Sequence, residues 1–429
     1  MIMPRFRERA PDPENITFTV KDSKNTEQTN PESLAIEAPR ILAAYFEREG
    51  IVDYKIVETG KTKKSFYGAV EIEGEKYFFK FAGPETIYQE LQGYRLANIF
   101  PHETLRGHHF DENQAFYIQD YCDEVDSGNL LMTGLNSAIL SGETAEREVL
   151  AKTEKILSVV ARIFSETLTE PKQDSGKNDA YFSDRIAPGA RVEKYYGNNR
   201  VVLKSEKGEV ELQTIVGGKH TFNGVQMDKS IEELIEIAKG RLDPSQPRTF
   251  VLSQGDPTES NITVDGKFFD FEVAGMNSLA QEMAIFCCHS YMSGHYISPK
   301  YSELSNQTNA EIVSKTEDSI IASYEAEGSS LSINLKYPLP RLKRELIKQY
   351  NSIVVKPLES RLAPEQRLSL LDQFKSAILM RLVGVKNIFK LEEKDILLYL
   401  GMIAHFSKKT EHQSVSEYIE DIFTSVSYE

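Results

Sequence analysis

The stretch Phe250 to Glu272 constrains the fold and chemistry of this chain more than any other part of the sequence. It opens with an apolar run, continues into a polar loop that contains Asp256 and Asn261, and turns back at Asp265-Gly266. Apolar runs on either side of such a turn predict a strand, a loop and then a hairpin. Asp270 is expected on the strand after the turn, so the sequence predicts that three oxygen-bearing side chains converge.

Three such side chains suit the transfer of a phosphoryl group, which depends on positioning and on charge neutralisation at an oxygen-rich Mg²⁺ site. Asp256 and Asn261 are five residues apart, which matches the Asp-to-Asn interval of a kinase catalytic loop. Asp256 is predicted to accept the proton of an acceptor hydroxyl, and Asn261 and Asp270 are predicted to bind Mg²⁺ at the ATP phosphates. The alternative is that Asp256 and Asn261 only cap turns. It is disfavoured because both residues occur together between apolar strands.

The residues Gly255-Asp256 and Asn261 resemble the catalytic motif of the aminoglycoside phosphotransferase and choline kinase superfamily, a relative of the protein kinases. The usual motif is His-Gly-Asp, four residues and then Asn, and Gln254 stands here where the His is common. Asp270-Phe271-Glu272 is similar to the family's second acidic motif, which implies metal binding by Asp270 with Glu272 as an auxiliary group. Glu282 stands where an Asp is more usual.

The resemblance implies an α+β, two-lobed protein-kinase-like fold, with a small antiparallel-sheet N-lobe and a larger, mainly helical C-lobe. The hydrophobic pattern of the first part of the chain agrees with it. The pattern predicts strands over residues 54–58, 66–72 and 76–81, a helix over residues 84–99, and strands over residues 105–110 and 115–121.

In such a lobe the third strand carries a lysine for the ATP phosphates, and the next helix carries its glutamate partner. Lys80 and Glu90 stand at these places. The turn of residues 59–65 has the position of a phosphate-covering turn, with Ser65 near the phosphates, although it contains one glycine. The resemblance also implies that adenine binds the backbone near the hinge, so Gln119 and Tyr121 are further predicted nucleotide contacts. The predicted cofactors are ATP and Mg²⁺.

The predicted organisation has four parts. They are a flexible N-terminal arm (residues 1–32), the ATP-binding N-lobe (33–120), a hinge or linker (121–134) and a C-lobe (135–429) with the catalytic loop (250–272) and C-terminal helices. Within the C-lobe, the pattern predicts helices over residues 143–168 and 230–240 and a hairpin of residues 201–203 and 210–216. After residue 278 it predicts successive helices.

The formal net charge of −15 opposes binding to phosphate-rich partners, so neither nucleic acid nor a membrane is expected as a partner. An acidic field fits a cationic acceptor, and it also fits a protein that is acidic merely for solubility, which is the favoured interpretation. Three cysteines are too few for a disulfide framework. The first fifteen residues lack the apolar core of a secretory signal. A cytoplasmic location is therefore expected.

These observations predict a kinase that moves the γ-phosphoryl group of ATP to a hydroxyl of a small molecule, and the resemblance suggests an aminoglycoside, an amino alcohol or a sugar. A nucleotide-binding regulatory pseudokinase is the alternative, because Gln254 departs from the motif and the first turn is poor in glycine. A protein kinase ranks third, because no activation segment is recognisable between Glu272 and the helix expected near Ser278. The sequence does not predict the identity of the acceptor or the oligomeric state.

Overall fold

The computed structural model divides the chain into two compact units. The first contains residues 1–127 and 267–273, and the second contains residues 128–266 and 274–429. The structure describes residues 31–61, 65–111, 113–122, 130–197, 201–205, 208–292, 321–327, 330–336, 340–384 and 393–423. Most of the predicted arm, residues 123–129 of the predicted hinge and residues 62–64 of the predicted phosphate-covering turn lie outside these ranges. The predicted domain boundaries stay predictions.

The described residues of the first unit form one antiparallel sheet and two α-helices. Its elements are α1 (Pro31–Arg48), β1 (Tyr54–Lys61), β2 (Ser65–Ile72), β3 (Glu75–Ala82), α2 (Pro84–Leu96), β4 (Leu105–Phe110) and β5 (Ala115–Asp120). The strands lie side by side in the order β1-β2-β3-β5-β4. This succession of three strands, a helix and two strands is the one that the sequence predicts.

Alternation along β3 gives the sheet two chemically different faces. Phe79 and Phe81 are buried in the core that α1 covers. Lys80, between them, pairs in register with Tyr117 of β5. Because successive side chains of a strand point to opposite faces, Lys80 and Tyr117 share the face away from α1, and there α2 packs. The alternation of side chains along β3 therefore places Lys80 against α2 rather than in solvent.

Residues 267–273 belong to the first unit although their neighbours in sequence belong to the second. The 3₁₀ turn Phe271–Val273 packs against α2, where the ring centroids of Tyr94 and Phe271 lie 4.5 Å apart. Gly93 permits this approach, because a Cβ atom there would lie 1.8 Å from the backbone oxygen of Phe271. A side chain at this helix position would push the turn away.

The second unit is mainly helical. Its helices are α3 (Leu131–Ser141), α4 (Glu143–Thr167), α5 (Ser183–Ile186), α6 (Arg191–Tyr196), α7 (Leu212–Gly217), α8 (Ile231–Arg241), α9 (Leu279–Met292), α10 (Arg341–Tyr350), α11 (Lys356–Glu359), α12 (Pro364–Gly384), α13 (Glu393–Phe406) and α14 (Val415–Tyr418). Its strands are β6 (Val201–Ser205), β7 (Gly208–Glu211), β8 (Thr221–Phe222), β9 (Val225–Gln226), β10 (Phe250–Ser253), β11 (Gly275–Ser278), β12 (Ile321–Glu327) and β13 (Ser330–Lys336). The predicted α+β fold class, with a small antiparallel-sheet part and a larger helical part, is confirmed. None of the described helices has both the length and the apolar character needed to cross a membrane.

The prediction of only helices after residue 278 is wrong. β12 and β13 pair antiparallel, and β13 also pairs in parallel with β8, which gives a four-stranded sheet in the order β12-β13-β8-β9. The cause is visible in β13, where Leu331, Ile333 and Leu335 are buried and the residues between them are more exposed. This period of two is a strand pattern.

The predicted second strand of residues 210–216 is also shorter than expected. β7 ends at Glu211, and α7 follows directly. Leu212, Ile215 and Val216 are buried, and their spacing of three and four residues is that of one helix face. The β6–β7 pairing itself is present, with Ser205 opposite Gly208.

We predict that Gly93→Ala destabilises the first unit, because the added methyl group would overlap the carbonyl of Phe271. Overpacking of this kind lowers the free energy of unfolding by about 1–3 kcal/mol, which urea unfolding followed by circular dichroism would measure. Gly240→Ala on α8 is the matched control, because a Cβ atom there meets nothing within 4 Å. It should leave stability unchanged or raise it slightly. Equal effects of the two substitutions would contradict the close packing at Gly93.

Candidate active site

Lys80 of the first unit lies between two carboxylates. Its Nζ atom is 2.7 Å from Oε2 of Glu90 and 3.4 Å from Oδ1 of Asp270. The Tyr117 hydroxyl donates a hydrogen bond of 2.8 Å to Oε1 of Glu90. The Glu90 side chain is only 1% exposed. The structure therefore brings together three residues that the sequence assigns to ATP and Mg²⁺.

The charges in this cluster depend on one another. Burial by itself lowers the pKa of Lys80, but the carboxylates of Glu90 and Asp270 raise it above its ordinary value, so the ammonium group stays charged. Burial raises the pKa of Glu90, and Lys80 opposes that rise. A buried ion pair contributes little net stability because desolvation offsets the attraction. Its effect here is to fix the position of one cation.

The turn at Asp265-Gly266 is present, with the Gly266 amide donating to the carbonyl of Thr263 at 3.0 Å, but Asp270 does not lie on a strand, so the prediction of a strand after the turn is wrong. The reason is that the segment packs with the first unit instead. The Phe268 amide donates to the carbonyl of Pro101 at 2.7 Å. Asp270 has a φ of +60°, a left-handed conformation that aspartate tolerates better than bulkier residues. Its side chain is 44% exposed, which leaves carboxylate oxygen accessible to a cation.

The other predicted nucleotide positions of the first unit lie apart from this ion-pair cluster or are already engaged. The Gln119 side chain accepts a hydrogen bond of 2.8 Å from the Tyr94 hydroxyl. A nucleotide contact at Gln119 would therefore be made by its backbone. The Tyr121 ring lies under Lys76, with Nζ 3.9 Å from the ring centroid. Ser65 begins β2 and is buried. Contacts of Ser65, Gln119 and Tyr121 with ATP stay predictions.

In the second unit, the loop after β10 holds Asp256 and Asn261 together. The Asn261 amide Nδ2 donates to the backbone oxygen of Asp256 at 2.9 Å and lies 3.5 Å from its Oδ2. Gln254 is buried, and its Oε1 accepts a hydrogen bond of 2.9 Å from the Asp256 amide. The interval of five residues therefore corresponds to one compact turn. Gln254 is a structural support of that turn.

A buried ion pair anchors the same loop. Nζ of Lys343 on α10 is 2.5 Å from Oε2 of Glu259, and neither side chain is exposed. The loop also accepts backbone hydrogen bonds from Leu131 and Met132 at the start of α3. Rigid support of this kind keeps a catalytic side chain in one position.

Glu282 on α9 ends a buried polar network. The Asn178 amide donates to its Oε1 at 2.9 Å, the Asn178 backbone amide donates to Asn277, and Asn277 donates to the Ser253 hydroxyl. Burial raises the pKa of Glu282 to about 8, and the nearby Asp256 contributes to the rise. Glu282 is therefore protonated at neutral pH and does not compete with Asp256 for cations.

Arg381 is a residue that the sequence did not identify as part of the site. It lies on α12, with its Nη2 atom 3.8 Å from Oδ1 of Asp256. The available signal was an arginine inside the apolar stretch of residues 377–385, because a charged side chain on a buried helix face needs a partner.

The residue types present fit Mg²⁺, which keeps several waters and takes one or two protein oxygens together with phosphates. Asp270 offers an exposed carboxylate. Asn261 offers an amide oxygen whose orientation is fixed by the hydrogen bond of its Nδ2 atom. Within the described ranges, no group of three or more His, Cys, Asp or Glu side chains could hold a metal ion. Metal binding by Asn261 and by Asp270 stays a prediction.

Comparison with known proteins gives only distant structural similarity. No protein-family model matches the chain, and no curated protein matches its sequence. The aminoglycoside phosphotransferase APH(4)-Ia is 13% identical with a TM-score of 0.42, over 87% of this chain and 98% of that chain. A glucosamine kinase is 11% identical with a TM-score of 0.36, over 90% of this chain and 84% of that chain.

A structure of a thermostable APH(4)-Ia mutant in a ternary complex with ADP and hygromycin B is 12% identical, with a TM-score of 0.35, over 80% of this chain and 97% of that chain. Similarities with TM-scores this low do not decide the function of the chain. The assignment below therefore depends on its own residues.

We predict that Glu282→Gln makes the stability of the protein less dependent on pH. The pKa of Glu282 is raised to about 8 in the folded protein, so its stabilising contribution is full below the unfolded-state pKa and is lost as pH rises toward 8. In that window the loss approaches about 1.4 kcal/mol per pH unit. Urea unfolding at pH 5, 6.5 and 8 should show a wild type that loses stability relative to Glu282→Gln. Parallel pH profiles would contradict the buried, protonated carboxyl group.

Proposed function

We propose that this chain is an ATP-dependent phosphotransferase that moves the γ-phosphoryl group to a hydroxyl of a small molecule. The observation that carries the proposal is the position of Lys80, 2.7 Å from Glu90 and 3.4 Å from Asp270. A strand lysine paired with a helix glutamate and lying next to the aspartate of an Asp-Phe motif is the arrangement that kinases use for ATP phosphates and their metal. The Asp256–Asn261 turn of the second unit supports it independently.

In the proposed reaction, the acceptor oxygen forms a bond to the γ-phosphorus, and the bond from that phosphorus to the β–γ bridging oxygen breaks. ADP leaves with the electron pair of the broken bond, and Asp256 takes the proton of the hydroxyl. Lys80 neutralises phosphate charge, and Glu90 holds Lys80 in place. Mg²⁺, when bound with ATP by Asn261 and Asp270, supplies further charge neutralisation.

The contacts of Gln254 favour activity over the pseudokinase alternative. Gln254 replaces the usual histidine, and its side chain binds the Asp256 amide within the loop. Gln254 at the position of the usual histidine therefore still holds the backbone of Asp256 in place, and no reacting group is lost. The proposed cofactors are ATP and Mg²⁺, and the proposed location is the cytoplasm.

We predict that Asp256→Asn lowers the rate of phosphoryl transfer by about 10²–10⁴-fold, the usual contribution of a positioned base. Mg-ATP binding should be retained. A mass-spectrometric screen of purified protein with Mg-ATP and pooled hydroxyl metabolites and aminoglycosides would detect the product. Asp243→Asn, which changes a carboxylate in another loop that accepts a backbone hydrogen bond from Ser245, should be fully active. Mg-ATP binding without any transfer by the wild type would favour the regulatory pseudokinase.

We further predict that the double substitution Lys80→Met with Glu90→Gln weakens Mg-ATP binding by at least about tenfold, because a charge-assisted contact to phosphate is lost. Both partners are changed so that no buried charge is left unpaired. Isothermal calorimetry with a non-hydrolysable ATP analogue gives the affinity, and circular dichroism checks the fold. Unchanged affinity in a folded double variant would rule out the proposed role of Lys80.

A further inference from the structure

Three arginines from three separate helices of the second unit lie near one another, and one of them is beside Asp256. Arg381 of α12 lies 3.8 Å from the Asp256 carboxylate. Its guanidinium carbon and that of Arg185 on α5 lie 5.8 Å and 5.1 Å from the ring centroid of Tyr181. Arg191, at the start of α6, completes the group, which we call the arginine cluster (Arg185, Arg191 and Arg381).

The members of the arginine cluster repel one another. Burial and the charges of Arg381 and Arg191 together lower the pKa of Arg185 to about 10, while Tyr181 and Asp256 oppose the decrease. Neighbouring like charges disfavour the charged form of each group, and groups perturbed in this way are concentrated at functional sites.

Two of the three guanidinium groups lack hydrogen-bond acceptors. Arg191 donates to the backbone oxygen of Gly384, at the end of α12, over 3.5 Å. Among the residues that the structure describes, neither the Arg185 nor the Arg381 guanidinium group donates a hydrogen bond. Arg381 is 8% exposed, and Nη1 of Arg185 is buried. Because a guanidinium has five N–H donors and is never deprotonated in ordinary conditions, burial without acceptors is unfavourable.

Two other acidic side chains of the second unit, Glu282 and Asp179, do not pair with the cluster. Glu282 is protonated at neutral pH, because its pKa is raised to about 8. Asp179 is already bound to the buried Arg248, with 2.6 Å between Oδ1 and Nη1. Asp256 therefore lies beside Arg381 and interacts electrostatically with Arg185, so positive charge is concentrated near this carboxylate although the whole chain is acidic.

We propose that the acceptor is itself an anion, a small molecule that carries both a hydroxyl and a carboxylate or phosphate group, and that Arg185 and Arg381 bind the oxyanion while the hydroxyl lies at Asp256. The proposal rests on the phosphotransferase function proposed above. Hydrogen bonds from guanidinium groups to oxyanions are about 2.7–2.9 Å long, and Arg381 lies close to Asp256. The hydroxyl and the oxyanion are therefore neighbours on a short carbon skeleton.

The test compares acceptors that share a three-carbon skeleton and differ in charge. Glycerate and glycerol 3-phosphate are the anionic members, glyceramide is neutral, and 3-amino-1,2-propanediol is cationic. Phosphoryl transfer from Mg-ATP is followed by mass spectrometry under steady-state conditions. We expect kcat/KM to be at least about tenfold higher for an anionic member than for the neutral amide, since charge-assisted contacts are lost in the amide. Comparison of the two anions distinguishes a carboxylate site from a phosphate site.

The variant Arg185→Gln should raise KM for the anionic acceptor at least about tenfold and leave KM for the neutral amide unchanged. Lys194→Gln on α6 is the matched control. It removes the same charge from an exposed position near Arg191 and should not change either constant. An equal fall of kcat for all acceptors in Arg185→Gln would instead place the arginines at the transferred phosphoryl group and would overturn the proposal.

A second readout does not depend on turnover. Calorimetric titration of the full chain with inorganic phosphate and with glycerate should show binding that Arg185→Gln weakens and Lys194→Gln preserves. Binding of this kind without transfer to any acceptor would contradict the phosphotransferase proposal while supporting the anion site. Transfer to the neutral or cationic compound at least as efficient as to the anions, or no Arg185-dependent binding, would overturn the anion proposal alone.

Discussion

Glu90 is a carboxylate enclosed within the first unit, and the arrangement around it serves to satisfy that charge. Lys80 provides the counter-charge and Tyr117 provides a hydrogen bond. These partners come from two neighbouring strands, so the register of β3 against β5 must be correct for the helix to bury its carboxylate. Asp270 then approaches the same lysine from a distant part of the chain. A one-residue slip of β3 would send Lys80 to the opposite face of the sheet and leave Glu90 unpaired.

Local patterns predicted much of this arrangement. The strand periodicity of the first unit, the position of Lys80 before a helix with Glu90, and the five-residue interval from Asp256 to Asn261 all depend on short-range sequence. The conformation of Asp270 could not be predicted in that way. Its segment forms contacts with Pro101 and Gly93, more than 160 residues earlier in the sequence, and those contacts replace the strand that the local pattern favours.

The charges around Asp256 also could not be predicted from short-range sequence patterns. The overall excess of acidic residues says nothing about the surroundings of one carboxylate, and the arginine cluster brings Arg185 and Arg191 together with Arg381 from a distant part of the chain. Arg381 gave a weak local signal as a charge within an apolar stretch. Glu282 is neutral because it is buried in the folded protein. The spacing of residues in the sequence does not reveal this burial. Prediction from sequence therefore identified the proposed reacting residues better than the electrostatics of their surroundings.

Because residues 267–273 belong to the first unit, that unit is not formed by one continuous segment of the chain. A fragment ending at residue 127 would contain every strand of the sheet but would lack the turn that covers Gly93 and Tyr94. Such a fragment would expose an aromatic surface on α2 and would lose the second carboxylate beside Lys80. Recombination that exchanged this unit between related genes as one contiguous block would leave that turn behind. The two units are therefore constrained to be inherited together.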